Sequence, residues 1–199
     1  MKIAKILLVI FSLALVCALC LAVFRIAGSS NGNRALTLFG MQARIVKTSS
    51  MERSEQTDVD GYRIKDIRAG AVILLKTVPK NAERANAFYG KLRVGDVLTF
   101  HYAEYGTPVV ITHRVVAIEE KATGGYLIGL EGDNKGEDAN VLTQQIDTAE
   151  TESGNAVIGK VIGQSYLLGR ALVFLRRSAG ILALALILVI LFPFLKKQP

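Results

Sequence analysis

The chain is apolar at both ends and mixed between them, and that distribution constrains its architecture more than any single motif. From Ile6 to Ala27 it reads ILLVIFSLALVCALCLAVFRIA, with Arg25 as the only charge. A helix of that length crosses the hydrocarbon core of a bilayer. From Ala179 to Leu195 the run AGILALALILVILFPFL carries no charge at all. It sits at the short end of the spanning range, with Gly180 and Pro193 flanking its apolar centre. The expected organisation is an N-terminal transmembrane anchor over 1–28, a β domain over 29–165, a linker over 166–178, and a C-terminal anchor with a short basic tail over 179–199. The lipid bilayer is then an obligate partner.

A cleaved secretory signal is the rival reading of the first run. Lys2 and Lys5 form a basic start, and small residues follow at Ala27, Gly28 and Ser29. The apolar stretch is longer than a usual signal core, which favours an anchor. Cys17 and Cys20 fall inside this run at helical spacing and read as small apolar residues. With no cysteine beyond them, the rest of the chain has no disulfide framework and no thiol chemistry. The net charge of +7 comes from scattered Lys and Arg without a dense basic run. Contact with anionic lipid explains it better than nucleic acid does. Basic residues flank both apolar runs on either side, so charge alone leaves the membrane orientation open.

Between the ends the chain reads as mainly β. The segments Gly70–Val78, Gly95–Tyr102, Pro108–Glu119, Gly125–Gly132 and Ala156–Gly163 are rich in β-branched residues and bounded by Gly, Asp, Pro or Asn. Residues Pro79–Lys91 are polar with some helical character. Residues Thr143–Asn155 are acidic without apolar periodicity, so both stretches are expected as surface excursions.

Three groups of residues carry possible chemistry. In the strand around His113, alternation puts Val109, Ile111, His113, Val115 and Ala117 on one face, and Val110, Thr112, Arg114, Val116 and Ile118 on the other. An imidazole among apolar neighbours stays neutral near pH 7 and can accept a proton from a hydroxyl. It can equally be a core histidine satisfied by backbone groups. His101 reads as an ordinary surface residue. EGDNKGED, Glu131–Asp138, has the composition of a tight solvated turn, or offers Asp133 or Asp138 to orient a histidine. Its acidic spacing does not match a calcium loop. Finally, Thr48, Ser49 and Ser50 precede Met51, and a serine there becomes a nucleophile only if a base reaches it.

Taken in order, TSSME (Thr48–Glu52), VGDVLTF (Val94–Phe100), THRVVAI (Thr112–Ile118), EGDNKGED (Glu131–Asp138) and VIGKVIG (Val157–Gly163) resemble the boxes of type I signal peptidases. The terminal RRSAGILALALILVILFPFLKK resembles the second anchor of many Gram-positive and archaeal members. HRV at His113–Val115 resembles the endoplasmic-reticulum-type branch, in which histidine replaces the lysine base. The resemblance implies a signal-peptidase-like β domain flanked by transmembrane helices, in a multi-pass protein of the cell membrane with that domain on the extracytoplasmic face. It implies a serine endopeptidase that removes signal peptides from exported preproteins, with small side chains at the first and third positions before the cut. Ser50 would be the nucleophile and His113 the general base. Asp138 would be the orienting acid with Asp133 in support, and Thr48 with the Ser50 N–H would form the oxyanion site. Neither metal nor organic cofactor is implied.

The chain departs from the family pattern at several positions. Ser49 stands where glycine is usual, Arg53 where proline is usual, and SEQTDVDGYRIKDI is inserted before the next strand. Asp138 lies one residue short of the family's aspartate. Self-cleaving repressors share a related β fold but use lysine and lack paired anchors. The rival from another class is a non-catalytic membrane-tethered β module derived from this fold.

Overall fold

The computed structural model describes residues 37–55, 57–104, 107–135, 143–150, 154–175 and 177–178. Both apolar end runs lie outside these, as does Asp138. Eight strands form one antiparallel sheet: β1 (Thr37–Leu38), β2 (Met41–Ile45), β3 (Val72–Thr77), β4 (Val97–Glu104), β5 (Thr107–Glu120), β6 (Tyr126–Glu131), β7 (Gln144–Asp147) and β8 (Ala156–Ser165). Helix α1 spans Ala82–Tyr89, and α2 runs over 166–175. The strand order is β1-β2-β3-β8-β4-β5-β6-β7. The last of the described strands, β8, is thus the seam between β1–β3 and β4–β7.

That seam is irregular. The pairing of β8 shifts register at Leu74/Leu75 on β3 and at Thr99/Phe100 on β4. Bulges of this kind bend a sheet and raise its twist. The apolar side chains gather in two clusters. One joins Val46, Met51, Ile67, Ala71, Ile73, Leu75, Val97 and Val161. The other joins Leu92, Leu98, Phe100, Val115, Ile128, Leu130, Ile146 and Val157. Adjacent residues Val97 and Leu98 go to different clusters, as strand alternation requires.

The five strands expected from β-branched content are present as β3, β4, β5, β6 and β8. The acidic stretch after Thr143 differs from expectation, because its first part is strand β7 on the edge of the sheet, paired with β6. In that strand only Ile146 is buried, and one apolar residue makes no periodicity. The polar stretch after Pro79 contains α1, capped by the Asn81 side chain, which accepts from the Arg84 N–H at 3.0 Å.

The expected linker over 166–178 is helical over 166–175. Ser165 Oγ accepts from the Leu168 N–H at 3.2 Å, and Leu172 is buried. Gly169 permits the close approach, since a Cβ there would run into the carbonyl of Gly70. Alternation on β5 also breaks. A register shift between Val115 and Ala117 turns Ile118, rather than Ala117, towards the cluster that holds Val115 and Ile111. Among the described residues no helix is long and apolar enough to cross a membrane.

Candidate active site

Ser50 sits in a tight turn just past β2, closed by the Glu52 N–H donating to Ser49 O at 2.9 Å. Met51 fixes the turn from below. Its side chain is fully buried in the first cluster, and its carbonyl accepts from the Ile67 N–H at 2.9 Å. The turn therefore alternates between an exposed Ser49, a half-exposed Ser50 and a buried Met51. The loop after β6 is tied to it from the other side. The Asn134 N–H donates to Ser50 O at 2.9 Å, and Asn134 Nδ2 donates to Ser49 O at 3.3 Å.

Strand β5 delivers His113 to the same place. Gly132, buried at the end of β6, measures how closely the parts converge. A Cβ at Gly132 would lie 2.7 Å from Ser50 O, 3.2 Å from His113 Nε2 and 3.5 Å from Ser50 Cβ. One methyl-sized space is therefore bordered by both side chains. Glycine is needed there because any side chain would occupy the gap between them. Residues more than 60 apart in sequence are brought together in this way. The Ser50 hydroxyl is at 3.2 Å from Thr48 Oγ1 and makes no hydrogen bond to His113 among the described residues.

The imidazole is nearly buried and stands edge-on to Phe100, with ring centroids 6.2 Å apart. Burial is the main influence on it and pulls its pKa below the ordinary value; the Gln144 contact and the charges of Asp133 and Glu131 partly oppose this. Nδ1 lies 2.6 Å from Gln144 Oε1. With the amide oxygen turned to the ring as placed, Nδ1 is assigned as the donor, which leaves the Nε2 lone pair for the space beside Gly132 and Ser50.

Of the two acids expected to orient the histidine, only Asp133 falls among the described residues. Asp133 is buried and its carboxylate is taken by Arg114, with Nε to Oδ1 at 2.7 Å and Nη2 to Oδ2 at 2.5 Å. Asp133 acts on His113 only through its field. Its carbonyl accepts from Ser54 Oγ at 3.0 Å, a second tie between the serine segment and the loop after β6. Asp138 lies outside the described residues. Gln144, in a polar stretch with no motif of its own, occupies the position beside Nδ1.

The departures around the serine are accommodated. Arg53 is exposed and pairs with Asp60 at 2.8 Å, while its N–H donates to Asp66 Oδ1 at 3.2 Å. The inserted segment packs Val59 and Ile67 into the interior, so it forms part of the domain. His101 is half-buried on β4, its pKa lowered by burial and by the charge of Arg44. The chain matches no family model and no curated protein.

Proposed function

We propose that the chain is a membrane-anchored serine endopeptidase that removes signal peptides from exported preproteins on the extracytoplasmic face of a cell membrane. The observation that carries this reading is the convergence of Ser50 and a neutral His113 on the space beside Gly132. Ser50 Oγ attacks the scissile carbonyl. His113 Nε2 takes its proton and later returns it to the departing amine, and water then releases the acyl group. In this reading the Ser50 hydroxyl leaves Thr48 for Nε2 when substrate binds, since catalytic hydrogen bonds commonly tighten only in the substrate complex. The Ser50 N–H and the Thr48 hydroxyl are the donors assigned to the oxyanion.

Two further features support the reading. A cavity of about 50 Å³ beside Thr48, lined by Ile45, Val46, Ile73 and Val110 together with the polar Arg44, Lys47, Thr99 and Thr112, has room for a small side chain only. Helix α2 exposes Leu167, Leu168, Phe174 and Leu175 alongside Arg170 and leads towards the apolar run from Ala179. That pattern fits a polypeptide re-entering a lipid interface. The fold assigned is a signal-peptidase-like β domain between two transmembrane anchors.

The Thr48–Ser50 contact favours a second reading, in which the hydroxyls only stabilise a turn and the chain is a non-catalytic tethered β module. Preprotein processing by the full chain in detergent or vesicles separates the two. Ser50→Ala and His113→Ala are each expected to abolish cleavage, whereas His101→Ala retains most of it. Normal processing by Ser50→Ala would leave only the second reading.

A further inference from the structure

We propose that Gln144 is the positioning residue of the site, so that His113 works against a neutral amide where a carboxylate was expected. The inference rests on the Ser50–His113 reading above and adds to it the group that fixes the imidazole. Its basis is the 2.6 Å approach of Gln144 Oε1 to His113 Nδ1. Gln144 opens β7, where its backbone is in register with Leu130 of β6, and Ile146 two residues on is buried in the second cluster. The ladder and that anchor hold the backbone, so only the amide side chain has to be ordered.

The described carboxylates near the ring are committed elsewhere. Asp133 is held bidentately by the Nε–Nη2 edge of the Arg114 guanidinium. Glu131 accepts from Thr143 Oγ1 at 2.6 Å and pairs with Lys135 at 3.0 Å. Thr143 adjoins Gln144, so the same segment that withdraws Glu131 supplies the amide. Phe100, whose ring stands edge-on to the imidazole, carries no charge.

The chemistry differs from that of an acid partner. Oε1 accepts from Nδ1–H in both the neutral and the protonated ring, so the tautomer and ring plane are held throughout. The amide adds a dipole but no full charge, so it stabilises the imidazolium less than a carboxylate does. It also cannot be protonated, and its contact persists on acidification. Among the described residues, the charges that favour the protonated ring are those of Asp133 and Glu131, both already paired.

The test uses the full chain in detergent with ¹⁵N-labelled histidine. The chain has two histidines, so His101→Ala assigns both sets of signals. The expected result is a neutral His113 protonated on Nδ1, with Gln144→Leu moving the proton towards Nε2. Preprotein cleavage by Gln144→Leu should fall about 10- to 100-fold, less than the 10²- to 10⁴-fold contribution of a general base itself. Gln144→Glu should retain cleavage and move the acid limb of the kcat/KM profile to higher pH, because a carboxylate there stabilises the imidazolium. A wild-type ring protonated on Nε2 would show the amide nitrogen facing the ring and overturn the proposal. So would a Gln144→Leu variant with unchanged tautomer and pH profile while Asp138→Ala loses cleavage. In either case loss of cleavage in Ser50→Ala leaves the peptidase reading standing.

Discussion

His113 and Arg114 are consecutive on β5, yet they lead into regions built on opposite terms. On the Arg114 side every guanidinium nitrogen is engaged: Nε and Nη2 by Asp133, Nη1 by Gly95 O at 2.7 Å, and Nη2 also by Ile64 O at 2.9 Å. The Tyr62 ring lies 4.6 Å beneath it. This pair is saturated and buried, a fastening between β5, the loop after β6 and the inserted segment. On the His113 side one nitrogen is fixed by an amide and the other borders an opening kept by Gly132. A carboxylate near both went to the guanidinium, the group with a permanent charge and a matching fork. The imidazole is held neutral by burial, with one nitrogen unbonded among the described residues, the condition a base requires.

The largest effect should come from unbalancing the saturated side. Asp133→Ala leaves the buried Arg114 charge unpaired and should cost about 3–5 kcal/mol in denaturant unfolding. The pair Arg114→Met with Asp133→Leu should cost clearly less than the sum of the single changes, because it removes both charges together. Loss of cleavage in Asp133→Ala with unchanged stability would instead make Asp133 part of the chemistry and erase the contrast.

Gly132→Ala attacks the open side. The added methyl would meet Ser50 O and His113 Nε2, and the serine turn must move to admit it. Cleavage should fall about 100-fold, the scale expected when reacting groups are displaced by an ångström. A near-native rate measured for this variant would mean that the two side chains do not need that spacing.

The smallest effect is a pH slope. Burial lowers the folded pKa of His113, and burial and the charge of Arg44 lower that of His101, so the unfolded chain binds protons that the folded chain refuses. Stability should be level above the ordinary imidazole value and decline as pH falls from there towards the depressed folded values. Denaturation midpoints between about pH 8 and pH 5 should show this decline. His113→Gln should remove its share of the slope, while a variant of Arg114 should leave the sign unchanged.

Much of the sheet was legible because β-branched runs state their period locally. Strand β7 was not, since a short edge strand with one buried residue is defined by its pairing with β6 and not by its own pattern. Helix α2 was hidden for a similar reason, its buried face being little more than Gly169 and Leu172. Ser50 and His113 were legible as candidates because a hydroxyl turn and an apolar histidine strand carry signals of their own. Gln144 carried none, for a glutamine in a polar stretch acquires meaning only from what stands opposite it.

By itself the sequence determined the apolar composition of the two ends, the β character of the middle, and the residue types able to donate and accept a proton. Tertiary structure alone decided which carboxylate went to which cation, which amide met the imidazole, and that a glycine would hold serine and histidine around one small space. The division follows from range. Period and propensity act over a few residues, whereas hydrogen-bond partnership in an antiparallel sheet is settled by register between strands far apart in the chain.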